Sequence, residues 1–226
     1  VYTKLFVNIR RPLLGLVLVL SLTTVVAAEQ APGQKLVDNY INAWVDFYPS
    51  AAFAYGDLGS ANAFEKFNLL NNTQWLALNK STAVQAQVLL DARPSNSSTK
   101  VDLQVLLEQA ENELANWQED SPLTEQPQWY AEQVSQALTS LLIREQFTDQ
   151  ERSAALLTRL AGVQQLCDTG TKEIKGGNAL RTQTALRTLK GAREFYAGNL
   201  RTLTADWPKV ADKPSIEQSI DLAVSA

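Results

Sequence analysis

Three glutamates, Glu108, Glu111 and Glu113, crowd one short stretch of the chain. On a helix the three-residue spacing of Glu108 and Glu111 puts both carboxylates on one face, as in an acid/base pair or a metal site. Helical di-metal centres complete such a set with Glu-x-x-His motifs, and these 226 residues contain no histidine. The same absence removes the Ser-His-Asp triad, the Cys-His pair and the HExxH zinc motif. The carboxylates therefore read as a solvated acidic face.

The remaining chemically capable residues fare no better. Cys167 is the one cysteine, so it forms no internal disulfide. It lies in an apolar helical pattern, LAGVQQLC, as a buried small hydrophobe would, and no imidazole is available to activate it. Asp57 follows Gly56 as a turn residue does. Gly176-Gly177 lacks the flanking strand and the Lys-Ser/Thr of a phosphate loop. The five tryptophans sit at helix ends and on apolar faces, where core packing is the default. The sequence assigns no catalytic, cofactor-binding or metal-binding residue.

The N-terminus has the layout of a secretory signal. Lys4, Arg10 and Arg11 precede an apolar run from Leu13 to Val26, and Val26-Ala27-Ala28 supplies small residues for cleavage after Ala28. That run, about 14 residues, is short of the ~20 that span a bilayer, so no stable membrane anchor is expected after cleavage. Loss of residues 1–28 leaves 17 basic against 24 acidic side chains, a net charge of −7. An exported protein, periplasmic or secreted, is the expectation, and its acidity argues against nucleic acid as a partner. Charge is uneven: residues 101–155 carry eleven acidic and two basic side chains, residues 170–205 seven basic and two acidic. Two readings stay open: solvated helix faces that attract one another across the molecule, or a basic groove for an anionic ligand.

Positioning these residues falls to helices. Apolar residues recur at helical spacing nearly throughout, and no alternating strand stands out. The expected fold is all-α, an irregular bundle of about seven to nine helices forming a single domain over residues 29–226. The spacing predicts helices over Gln34–Tyr48 and Ser50–Tyr55, then one capped by Ser60 that carries Phe64, Phe67 and Leu70 and breaks at Asn71-Asn72-Thr73. Further helices are predicted over Trp75–Leu90, Lys100–Trp117 and Trp129–Phe147. Another is opened by a Thr148/Glu151 capping box and buries Leu156, Leu160, Val163 and Cys167. The chain is expected to loosen at Gly170, Gly176 and Gly177. The longest helix is predicted over Ala179–Leu203, and a last one from about Ser215, after a linker bounded by Trp207-Pro208 and Lys213-Pro214. Ile216, Ile220 and Val224 give that last helix an apolar stripe that runs on without a stop signal.

Three segments in order, NAWVDFYPSAAFAYGD, QALTSLLIRE and ERSAALLTRLAGVQQL followed by LRTLKGAREFYAGNL, resemble the N-terminal part of the bacterial domain of unknown function 885 family. The likeness extends from about Leu36 to residue 226. Full-length members look like helical zinc peptidases whose HExxH-type motif lies in the C-terminal half, so the resemblance implies zinc for those relatives and none for this chain. No catalytic residue carries over. Where the family often has a histidine after the early glycine, this chain has Asp57-Leu58-Gly59. The resemblance implies a non-catalytic N-terminal portion whose partner is the rest of the enzyme. The alternative is a complete periplasmic helical module that binds a protein, peptide or lipid, or an inactive relic.

Overall fold

A computed structural model describes residues 31–94, 96–118, 121–207 and 213–226; the expected signal peptide and residues 208–212 of the expected linker lie outside them. Every regular element among the described residues is helical. Helices α1 (Pro32–Phe47) and α2 (Pro49–Tyr55) both start with proline at their first turn, where its fixed φ suits the helix and its missing N–H costs nothing. Pro49 separates them, and Gly56 ends α2 at φ 115°, a left-handed cap that glycine adopts without penalty.

Next comes the first departure from expectation. Residues 58–62 form one 3₁₀ turn, capped by Asp57, whose carboxylate accepts from Gly59 N and from Ser60 Oγ. Ser60 caps no helix. Residues 63–68 are non-helical, with Phe64 and Phe67 buried. Helix α3 (Leu69–Asp91) starts where Asn68 Oδ1 accepts from Asn71 N at 2.9 Å. Asn71-Asn72-Thr73 thus begins α3 instead of breaking a helix, and Leu70 is exposed.

α3 folds back against α4 (Ser97–Gln118), and α1 packs on both. The second departure follows. The predicted Trp129–Phe147 helix is divided into α6 (Pro127–Gln136) and α7 (Thr139–Ile143), preceded by the single turn α5 (Pro122–Glu125). Helix α8 (Asp149–Glu173) opens with the Thr148/Glu151 capping box complete in both directions. It runs straight through Gly170, whose missing side chain lets the Tyr130 ring approach; a Cβ there would sit 3.1 Å from that ring. Gly177, at φ 136°, closes the loop that follows against Pro127.

Helix α9 (Ala179–Phe195) continues through a π-helical turn, Tyr196–Leu200, into α10 (Arg201–Thr204). Counting that rod once, eight helices of seven residues or more are described. The last, α11 (Lys213–Ser225), buries Ile216 and Ile220 against α8 and the π turn. Arg201 ties it down through Glu217 and Asp221. Leu186 and Leu203 on the α9–α10 rod are exposed.

Candidate functional site

The three glutamates do not converge. Glu108 and Glu111 are exposed beside a polar groove between α3 and α4. Glu113 turns inward and is 8 % exposed. One turn from Ala110 and Trp117, it shares their buried face. Its Oε2 accepts from Trp75 Nε1 at 2.7 Å and Tyr48 Oη at 2.8 Å, and its Oε1 accepts from Gln109 Nε2 at 3.2 Å. Trp117 Nε1 donates to the Tyr48 hydroxyl at 2.8 Å. Phe47 stacks on Trp75 with centroids 4.6 Å apart. This buried carboxylate is the hub of the aromatic core. Burial, assisted by the Glu113 charge, drives the phenols of Tyr40 and Tyr48 well above their ordinary range. Every donor to Glu113 is neutral, so the arrangement anchors helices α1, α3 and α4; it offers no second acid or base.

A second polar junction escaped the sequence reading. Arg159 on α8 is 1 % exposed. Its Nε donates to Ala61 O at 3.3 Å, and its Nη1 to Ala137 O at 2.9 Å and Ser50 Oγ at 3.1 Å. Glu65 accepts from Ser50 N at 2.8 Å and Ser50 Oγ at 2.7 Å, which caps α2 from outside, because Tyr48 supplies no side-chain cap. Burial pulls the Arg159 guanidinium down, and the Glu65 carboxylate works against that shift. The available signal was an arginine in register with Leu156, Leu160 and Val163 on the buried face of α8. Ser50, Glu65 and Arg159 resemble a nucleophile with its attendants only in composition. The serine proton is committed to the carboxylate, and no general base is free to act between them and a substrate.

A cleft of about 620 Å³ is walled by α6, α8, α9 and α11. Tyr130, Val134, Leu189, Tyr196 and Val224 supply apolar surface, Cys167 a half-buried thiol and Arg193 a cation. Burial, and secondarily Asp168, pushes the Cys167 thiol up, away from thiolate chemistry. Residues of the basic stretch 170–205 wall this cleft, but most of its cations do not face it. Arg201 is engaged with α11, Lys172, Arg187 and Lys190 are dispersed on exposed surface, and Arg193 borders the cleft. Gly176-Gly177 belongs to a loop whose Lys175 and Gly176 amides donate to Thr124 O. Among the described residues, no three histidine, cysteine, aspartate or glutamate side chains gather as a metal site would require. None of the described helices is long and apolar enough to cross a membrane.

An all-α unit with an apolar cleft and two buried polar junctions is what this fold defines. No protein-family model matches the chain, and no curated protein matches it. Among solved structures it is similar in fold to a putative lipoprotein of unknown function from Shewanella oneidensis, with a TM-score of 0.70 and 15 % sequence identity. The match covers 87 % of this chain and 36 % of that one. The chain thus spans about a third of that protein's length, and the likeness at this identity is one of fold.

Proposed function

We propose that these helices are the non-catalytic N-terminal portion of an exported protein of the domain of unknown function 885 kind, supporting a hydrolytic centre carried elsewhere in the protein. The observation that carries this reading is the convergence of the three motif segments. Phe53, from the first, is fully buried, and the guanidinium carbons of Arg144, from the second, and Arg159, from the third, lie 5.1 and 4.9 Å from its ring centroid. Arg144 Nη2 also donates to Ala54 O at 2.8 Å. Segments that are weak signals singly are thus one physical unit. The longer protein of similar fold, itself described as a putative lipoprotein, supports placement in the cell envelope and within a larger chain.

In this reading the described residues bear load and shape one wall of a substrate channel. Zinc is what the resemblance implies for full-length members of that family; among the described residues no ligand set for it gathers. The test is to read the coding DNA past codon 226 and assay the whole product for peptide hydrolysis with and without a chelator. An open frame reaching an HExxH-type motif, with chelator-sensitive hydrolysis, is expected. A stop codon at that point, or hydrolysis by residues 29–226 alone, overturns the proposal.

A further inference from the structure

The side-chain hydroxyls around the α6–α8–α9–α11 cleft already donate to backbone carbonyls. Tyr130 Oη donates to Leu123 O at 3.1 Å and Tyr196 Oη to Val134 O at 2.6 Å. Thr171 Oγ1 donates to Cys167 O, Thr182 Oγ1 to Asn178 O and Ser225 Oγ to Asp221 O. The tyrosines therefore present ring surface to the cleft, and the hydroxyls bring no free proton. A sugar, nucleotide or extended peptide placed there would bury polar groups without partners, at a cost of about 1–3 kcal/mol for each. An apolar chain would lose nothing.

Against this apolar lining stands one charged side chain among the described lining residues, Arg193. It is exposed, and its guanidinium has no hydrogen-bond or ion-pair partner among the described residues. By contrast, Arg201, two turns further along the same rod, is held by Glu217 and Asp221. Tyr196, one turn beyond Arg193, opens the π-helical turn and lines the cleft; such turns recur at functional sites. The cleft is a pocket with walls on four elements, and its volume falls within the range of about 300–1,000 Å³ usual for small-molecule sites.

We infer that this cleft binds a single-chain amphiphile with a carboxylate head, a fatty-acid-like ligand whose tail lies along Tyr130, Val134 and Leu189 and whose head pairs with Arg193. The apolar walls with spent hydroxyls select the tail, and the unpaired cation selects the head. This assignment stands apart from the role proposed above, since it needs no metal.

Cys167 provides a built-in reporter, because it lines the cleft and is the one cysteine in the sequence. The experiment titrates the purified protein with dodecanoate and, in parallel, with dodecan-1-ol, following calorimetric binding and the rate of Cys167 alkylation by N-ethylmaleimide. Dodecanoate is expected to bind one-to-one and to slow alkylation. Arg193→Gln should weaken dodecanoate about tenfold, the scale of one charge-assisted hydrogen bond, leave dodecan-1-ol unaffected, and leave the thermal melt unchanged because Arg193 holds no structural partner. Arg193→Lys should retain most of the affinity. Absence of saturable binding, alkylation unchanged by dodecanoate, or equal dodecanoate affinity in Arg193→Gln and wild type would each overturn the assignment, the last by marking adsorption to exposed leucines. Should Arg193→Gln fail to fold, Arg193→Lys together with the comparison of acid and alcohol on the wild-type protein decides the matter.

Discussion

Arg159 donates to the carbonyl of Ala137 across 22 residues of sequence at 2.9 Å, and that carbonyl lies where α6 gives way to α7. One buried side chain thereby satisfies the end of α6, the end of the 3₁₀ turn at Ala61 and the Ser50 hydroxyl at the start of α2. Arg159→Met retains the side-chain bulk and removes every one of these donors. The expected loss is about 3–5 kcal/mol of unfolding free energy, because buried acceptors are left without partners. Arg159→Lys should recover only part of it, since an ammonium cannot span carbonyls arranged for a planar fork. Denaturant unfolding of the pair of variants checks this, and a Lys variant as stable as wild type contradicts it.

Glu113 invites a different substitution series. Glu113→Gln keeps an acceptor for Trp75 Nε1 and Tyr48 Oη, while Glu113→Leu removes it and strands both donors in the aromatic core. The leucine variant should be the less stable by about 1–3 kcal/mol, and its tryptophan emission should shift as Trp75 loses its partner. Equal stability of the two would show that the hydrogen bonds to this carboxylate are dispensable.

Local signals were legible, and long-range ones were not. The Thr148/Glu151 box could be read because both partners lie within one turn, and Gly56-Asp57 because a left-handed cap and an Asx-type turn are local chemistry. The Trp129–Phe147 stretch divides at a carbonyl that Arg159, 22 residues on, satisfies, and Phe64 on the non-helical path crosses α8 where Gly162 leaves room; neither partner is written nearby. Glu113 is the instructive middle case. Its register with Leu106, Ala110 and Trp117 marks it as inward-facing, but a carboxylate among glutamates reads as solvent-facing until its donors, 38 and 65 residues away, are in place. The cleft was out of reach for the same reason, since four elements distant in sequence build it.

Alkali should unfold this protein cooperatively. Burial raises the phenols of Tyr40, Tyr48, Tyr130 and Tyr196 above their ordinary value, which is ~10 in an unfolded chain. The folded state therefore holds protons that the unfolded state releases above that pH. The stability these groups contribute is complete below pH ~10 and is lost as pH rises toward their folded values. Urea midpoints should be flat from about pH 7 to 9 and then fall, with tyrosinate absorbance appearing together with loss of helical circular dichroism. Tyrosinate absorbance that develops fully while helicity persists would contradict this burial.

Gly162 on α8 is where the Phe64 side chain crosses the helix. A Cβ built there would stand 2.2 Å from Phe64 Cδ1 and 2.7 Å from Phe64 Cβ, so rotation of the ring alone gives no relief. In an exposed helix, glycine to alanine gains up to about 1 kcal/mol; here the clash should reverse the sign, and Gly162→Ala should destabilise by about 1–3 kcal/mol. Phe64→Ala by itself should cost stability through lost burial, yet it removes the Cγ and Cδ1 atoms that would meet position 162. The double variant should therefore be more stable than the sum of the two single losses predicts, a coupling of about 0.5–3 kcal/mol between residues in contact. Additive losses in that cycle would mean that the Phe64 backbone, and not its ring, is what α8 excludes. Gly191, further along the sequence on α9, has open space around its position. Gly191→Ala is thus the matched control and should stabilise, which separates the contact from the intrinsic preference of the helix.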